Sequence, residues 1–174
     1  MVVLRATQKV LKSLPQTAAD TDLSDAALGD WYVNRIVVDR QPLLLLVSEK
    51  SLLAILTPAR NVKTLPDRLG KMFAERLLRL GVEEPLILAE INAMDIVRVG
   101  RTRNRSVTGQ MVDFAKSVPY YLPVDGWSTP RLWFAENRLS ETPCQVTRTL
   151  DAVIFPYEAA LRLLVEQWET KISS

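Results

Sequence analysis

The first third of the chain places its apolar residues in short, strand-like runs, and the remainder spaces them three and four apart. VVLR at 2–5 predicts a strand. In the ATQKVLKSLP that follows, Val10, Leu11 and Leu14 share one helical face, Thr7 stands where an N-cap belongs, and Pro15 stops the run. Residues 16–29 are polar and acidic, with Asp20, Asp22 and Asp25 and no clear period, as in a surface loop. Aromatic and β-branched residues then fill Tyr32–Val38. Asp39–Pro42 is a turn, Leu43–Val47 a second strand, and Ser48–Ser51 turns into Leu52–Leu56, ended by Pro58. Two tight connections in succession predict an antiparallel meander. The unbroken LLLLV exceeds simple alternation and predicts a strand covered on both faces or abutting another part of the molecule.

Beyond Pro58 the helical spacing takes over. Leu65, Leu69, Met72, Phe73, Leu77 and Leu80 form one stripe, opened by a Thr64/Asp67 capping-box pattern and closed by Gly81 at a C′ position. LILAEINAM predicts a short helix leading into a strand, DIVRVGR, with Ile96, Val97 and Val99 half buried and the arginines outside. A helix from about Ser106 carries Val107, Met111, Phe114 and Val118 and ends at Pro119. STPRLWFAENRLSETP predicts another, with Ser128 or Thr129 as N-cap and Pro130 in its first turn. PYEAALRLLVEQWET predicts the last. Strands first and helices after, without βαβ alternation, predict an α+β fold. Its antiparallel sheet combines a meander near residues 31–57 with strands near 2–5 and 94–100, covered by four to six helices on one side. At 174 residues, the stretch 1–174 suits a single domain.

Composition narrows the chemistry. With 48% hydrophobic and 24% charged residues, this is the make-up of a globular protein. The absence of histidine removes the usual neutral-pH general base, every triad built on imidazole, and the commonest transition-metal ligand. One cysteine, Cys144, excludes an internal disulfide, and with no histidine makes a zinc site nearly untenable. It follows Pro143 without a basic neighbour in sequence, so nothing marks it as a reactive thiolate. The longest aliphatic run, Leu43–Val47, falls far short of the ~20 residues that span a bilayer. MVVLRATQKV carries charge where a signal peptide needs an apolar stretch. No membrane association and a cytoplasmic location are therefore expected, and no cofactor.

Net charge is only +2, yet between Ile96 and Lys116 five cations, Arg98, Arg101, Arg103, Arg105 and Lys116, face Asp113 alone, a local +4. The centre of that patch is GRTRNRSVTGQM. On an extended strand Arg101, Arg103 and Arg105 point to one side and converge on an anion. Asn104 and Ser106 then add contacts from a helix start whose free N–H groups face the same point. Thr102 lies between the arginines, and Gly109 in the first turn admits close approach to the backbone. A plainer reading competes. Alternating arginines keep an edge strand from pairing, Asn104 and Ser106 cap, and Gly109 packs under a neighbour.

Other clusters also have two readings. In LGDWYVNR, Trp31, Tyr32 and Asn34 beside Asp30 form either a stacking pocket or ordinary core with turn chemistry. Glu90, Asp95 and Asp113 are oxygen ligands for a hard cation or a solvated face. Tyr120, Tyr121 and Trp127, in PYYLPVDGW, form a partner surface or a pinned loop. Phosphate-loop, dinucleotide, zinc-ribbon and kinase signatures are absent.

ATQKVLKSL, LGDWYVNRI, LLLLVSEKSLLAILTPA, RTRNRSVTGQMVDFA and RLSETPC together resemble a family of uncharacterised bacterial proteins, a domain of unknown function, across nearly the whole chain. The resemblance implies a free-standing cytoplasmic bacterial protein and carries no activity, cofactor or catalytic residue. It implies that the block holding Thr102, Asn104, Arg105, Ser106, Gly109 and Asp113 is the family's characteristic site, structural or ligand-binding. The leading expectation is a non-catalytic binding module for an anionic partner, nucleic acid or a phosphorylated small molecule, through Arg101, Arg103, Arg105 and the Ser106 helix start. Two alternatives stand beside it: a metal-dependent phosphoester enzyme using Glu90, Asp95 or Asp113, and a protein–protein adaptor or antitoxin-like partner using Tyr120 to Trp127. Whether the chain is an enzyme is left open.

Overall fold

A computed structural model describes residues 1–122, 128–145 and 153–174. Five strands make one sheet: β1 (Val2–Ala6), β2 (Trp31–Val38), β3 (Gln41–Ser48), β4 (Ala54–Pro58) and β5 (Val97–Arg101), in the order β4-β3-β2-β1-β5. The helices are α1 (Gln8–Leu11), α2 (Leu65–Arg79), α3 (Glu84–Ala93), α4 (Arg105–Tyr121), α5 (Thr129–Ser140) and α6 (Pro156–Ile172). A short ladder, β6 (Cys144–Gln145) with β7 (Val153–Ile154), precedes α6. The fold is α+β, with the meander β2-β3-β4 antiparallel as its tight turns require. β1 lies parallel to both β2 and β5. Parallel neighbours need long crossovers, and the chain supplies them: α1 with the acidic loop between β1 and β2, and α2 with α3 before β5.

Strand alternation divides the core into two layers. Leu4, Trp31, Val33, Leu44, Leu46 and Ile55 face Leu69, Phe73 and Leu77 of α2, Ile87 of α3, and Leu164 and Trp168 of α6. Tyr32, Leu43, Leu45, Val47 and Leu56 face Val107, Met111 and Phe114 of α4 and Leu132 and Leu139 of α5. Helices therefore cover both faces, not one, because every residue of the LLLLV run is completely buried and each alternate set needs its own cover. Trp31 stacks on Phe73 with ring centroids 3.9 Å apart.

Three local expectations shift. Pro119 lies inside α4, which runs on to Tyr121; the donor that proline lacks is missed by only the last turn. Thr64 does not close a capping box. Its hydroxyl instead donates to Asn61 C=O at 2.9 Å and accepts from Arg68 Nε–H at 3.1 Å. β4 begins at Ala54 because Leu52, at φ 60°, sits in the left-handed region where no strand continues.

The outer edge of β4 is closed by side chains from helices on opposite faces. Glu136 Oε1 on α5 accepts from Leu56 N–H at 2.9 Å, and Arg76 Nε–H on α2 donates to Ala54 C=O at 3.2 Å. Arg76 also donates to Asn137 Oδ1 at 2.8 Å and Ser140 Oγ at 2.6 Å. Arg79 bonds Glu136 Oε2 at 2.9 Å and lies 4.5 Å over the Trp133 ring. Burial lowers the Arg76 guanidinium to about 10 despite the Glu136 charge beside it, and burial raises the Glu136 carboxyl against the pull of Arg76.

Removing one partner of such a buried pair strands the other charge, so Glu136→Ala is expected to cost about 3–5 kcal/mol in urea unfolding. The apolar pair Arg76→Met with Glu136→Leu is not expected to restore wild-type stability, although apolar replacements of buried ion pairs often do. Here the substitution also orphans Leu56 N–H and Ala54 C=O.

Candidate functional site

The carboxyl ends of β1 and β5 open onto a cleft of about 310 Å³ lined by Arg5, Gln16, Ala18, Asp20, Gly100, Arg101, Thr102 and Arg103. Its wall is the acidic loop, which pairs with the outer edge of β5. Thr17 and Ala18 N–H both reach Val99 C=O at 2.8 Å, and Val99 N–H reaches Thr17 Oγ1 at 2.9 Å. Its floor is Arg5, which is 4% exposed. Gly100 makes room for it: a Cβ at that position would stand 3.0 Å from Arg5 Nη1 and 3.1 Å from Ala18 Cβ.

Asp30, 1% exposed, anchors the arginines. Its Oδ2 accepts from Arg5 Nε–H at 2.8 Å and Arg103 Nη2–H at 3.3 Å, while Oδ1 accepts from the Ser24 hydroxyl at 2.6 Å. Two guanidinium groups thus share one carboxylate and retain a net positive charge. Arg101 adds another, held by its Nε–H on Gln16 Oε1 at 3.3 Å, and Asp20 is the one carboxylate among the lining residues. Among the described residues, Arg5 Nη1, both Nη groups of Arg101 and the Nε and Nη1 of Arg103 have no hydrogen-bond partner. These are the donors available to an anion.

The loop that delivers Asp30 is held from below by Glu90. Its Oε2 accepts from Ala27 N–H at 2.8 Å and Trp168 Nε1–H at 2.7 Å, and its Oε1 from Leu28 N–H at 3.1 Å. Burial raises this carboxyl above its ordinary range, and the three donors only partly offset that.

Arg101, Thr102 and Arg103 meet at the cleft; the other residues of the block do not. The strand ends at Arg101 and α4 already starts at Arg105, so the alternation that would align a third arginine is broken, and Arg105 is outside the lining. The helix start is occupied by its own cap: Asn104 Oδ1 accepts from Ser106 N–H at 3.0 Å and Val107 N–H at 3.4 Å. Asn104 N–H donates to the Tyr32 hydroxyl at 3.2 Å, which donates to Glu49 Oε1 at 3.3 Å. Burial, and next the Glu49 charge, push the Tyr32 phenol up. Among the described residues Gly109 packs under no neighbouring element: outside its own helix turn, a Cβ there would meet nothing within 4 Å. Arg5, Gln16, Asp20 and the pairing role of Asp30 do not stand out from the local sequence pattern. Two signals were nonetheless present, a cation inside the buried VVLRA run and a glycine inside β5.

The LGDWYVNR residues share no pocket. Trp31 and Tyr32 lie on opposite faces, and Asn34 Oδ1 accepts from the Thr7 hydroxyl at 2.8 Å. Glu90 and Asp113 sit on helices covering opposite faces, and the exposed Asp95 lies 3.6 Å from the terminal amine. Among the described residues no group of three or more such ligands is placed to hold a metal ion. Cys144 is buried, which pushes its thiol up to about 11, and its Sγ–H meets Thr142 C=O at 3.3 Å. Tyr120 is fully on the surface, Tyr121 lies under Arg138, and Trp127 falls outside the described residues. Among the described residues no helix is long and apolar enough to cross a membrane.

Glu90→Gln is expected to lower stability by about 1–3 kcal/mol, because an amide cannot accept from all three buried donors. A carboxyl raised in the folded state binds more protons than the unfolded chain between its ordinary value, near 4.5, and the raised one. Its contribution therefore falls as pH climbs through that window and is level above it. The stability gap between wild type and Glu90→Gln should accordingly narrow from pH 4.5 toward neutrality, as followed by thermal unfolding.

Compared with known proteins, residues 3–159 match a family model described as a domain of unknown function (DUF6933), in agreement with the resemblance seen in the sequence. No curated protein and no solved structure matches the chain.

Proposed function

The chain belongs to the DUF6933 family, and we propose that it is a non-catalytic cytoplasmic binding module that holds an anion in the cleft at the ends of β1 and β5. One observation carries this reading. Arg5 from β1 and Arg101 and Arg103 from the end of β5 face a single recess, and the buried carboxylate behind it, Asp30, is shared by Arg5 and Arg103. After that pairing Arg5 Nη1, both Nη groups of Arg101 and the Nε and Nη1 of Arg103 are left without a partner among the described residues, and these surplus donors suit an anion. The ends of parallel strands are also where open sheets hold their ligands, because the connecting loops diverge there. At about 310 Å³ the cleft suits a phosphoryl group and what it is attached to, so a phosphorylated small molecule is the preferred ligand over the backbone of a nucleic acid.

Thermal unfolding with inorganic phosphate, nucleotides, phosphorylated sugars and short RNA or DNA, at two salt concentrations, tests the reading. A fitting anion at a hundredfold excess over its Kd stabilises by about 2.7 kcal/mol. That gain should vanish in Arg101→Ala, whose side chain makes no buried contact, and shrink in Gly100→Ala, which crowds Arg5 Nη1. An unchanged gain in both variants, or no gain with any anion, overturns the proposal. A gain confined to RNA or DNA moves the ligand class to nucleic acid.

A further inference from the structure

The sheet contains a notch. β1 pairs with β2 only as far as Ala6 opposite Val33, and β5 ends at Arg101 opposite the same Ala6, whereas β2 continues to Val38. The last backbone bond to β2 from that side is Thr7 N–H to Val33 C=O at 3.1 Å, and the Thr7 hydroxyl reaches the Asn34 side chain beyond it. Backbone parity then decides which groups face the gap. On β3, Ser48 N–H reaches Leu53 C=O and Pro42 C=O accepts from Ala59 N–H, both at 3.0 Å, so these residues bond toward β4. Their partners on β2, Trp31 and Val37, therefore turn their own N–H and C=O away from β3, as do Val33 and Arg35 between them. Arg35 and Val37 aim a donor and an acceptor each into the notch, and among the described residues nothing pairs with them there.

Helices wall the notch without filling it. α1, turned onto one face by the buried Val10, contributes Lys9; α4, on the other face, contributes Val112, Ala115 and Lys116. Between them a groove of about 430 Å³ runs over Asn34–Val37. Its charged lining residues are Lys9, Arg35 and Lys116, with no carboxylate, and none of the three is in an ion pair among the described residues. Val37 and Val112 are exposed by 57% and 52%.

We propose that this notch is a docking site for an extended acidic segment of a partner protein, which joins the sheet as a short strand in line with β1. A peptide backbone supplies the alternating donors and acceptors that Arg35 and Val37 require. Its carboxylates meet the three cations, and its apolar residues cover Val37 and Val112. A nucleic acid or a lipid headgroup answers the charge but not the backbone edge. A second copy of the same edge would oppose Arg35 to Arg35 and bring two sets of lysines together. The site is separate from the cleft of Arg5, Arg101 and Arg103, and stands whether or not that cleft binds an anion.

Isothermal titration calorimetry of the full chain tests it, using a blocked peptide of alternating glutamate and valine about ten residues long. The controls are the same peptide with alternate backbone nitrogens methylated and a version with lysine in place of glutamate. The acidic peptide should bind and slow amide hydrogen exchange at Arg35 and Val37. Methylation, lysine exchange, or the surface double variant Lys9→Glu with Lys116→Glu should each weaken it at least about tenfold. Arg101→Ala should leave it unchanged. Failure of the acidic peptide to bind, binding that survives backbone methylation, or binding lost with Arg101→Ala overturns the proposal. The methylated peptide leaves the protein untouched, so the outcome does not depend on any variant folding.

Discussion

A sheet buried on both faces cannot leave its outer edges dry and unpaired, and much of this molecule is arranged around that requirement. At β4 the solution is ionic. Glu136 takes an edge N–H, Arg76 caps an edge C=O, and their mutual pairing ties α5 on one face to α2 on the other. At β5 the solution is backbone: Thr17 and Ala18 lie along the edge and bond Val99. The two closures have different consequences. A side-chain clamp seals the β4 edge, while a loop laid along β5 leaves a recess behind it, and the arginines collect in that recess.

Three buried carboxylates act as long-range cross-links. Glu90 joins α3 to residues 27–28 and to α6; Glu136 joins α5 to β4 and α2; Asp30 joins β1, the acidic loop and the segment after β5. Each accepts from groups far away in sequence, and each lies where an apolar residue would leave several donors unsatisfied. Asp30 and Glu136 each draw two guanidinium groups to one carboxylate, but the Asp30 pair borders a cleft that a third arginine, Arg101, also lines. Glu90 serves only neutral N–H donors, and at Glu136 the fully buried Arg76 is spent on backbone, hydroxyl and amide partners while Arg79 lies over the Trp133 ring. The surplus guanidinium donors at Asp30 therefore face the cleft at the ends of β1 and β5.

Much of this was legible in the chain. The meander, the α2 and α4 stripes and the double burial of LLLLV follow from local patterns, because side-chain spacing and burial are set by strand and helix geometry alone. Of the arginine block, Arg101, Thr102 and Arg103 belong to the recess. Arg105 does not, because the start of α4 one residue before Ser106 changes the direction of its side chain. Asn104 was readable as a cap or as a ligand contact, and it is a cap. Arg5 looked like an interruption of a strand. Its role depends on Asp30 and Gly100, which lie 25 and 95 positions away.

What the sequence determined by itself was therefore local: where strands and helices form, which faces are apolar, and where positive charge concentrates. The tertiary structure decided the rest. It set β1 parallel between two neighbours, brought Arg5 beneath Arg101 and Arg103, closed one edge with an ion pair and the other with a loop, and stopped β1 short of the end of β2. The division has a physical cause. Periodicity arises from interactions a few residues apart, while strand order, the sharing of one carboxylate by two cations and an uncovered backbone edge are properties of segments that meet only after the chain has folded.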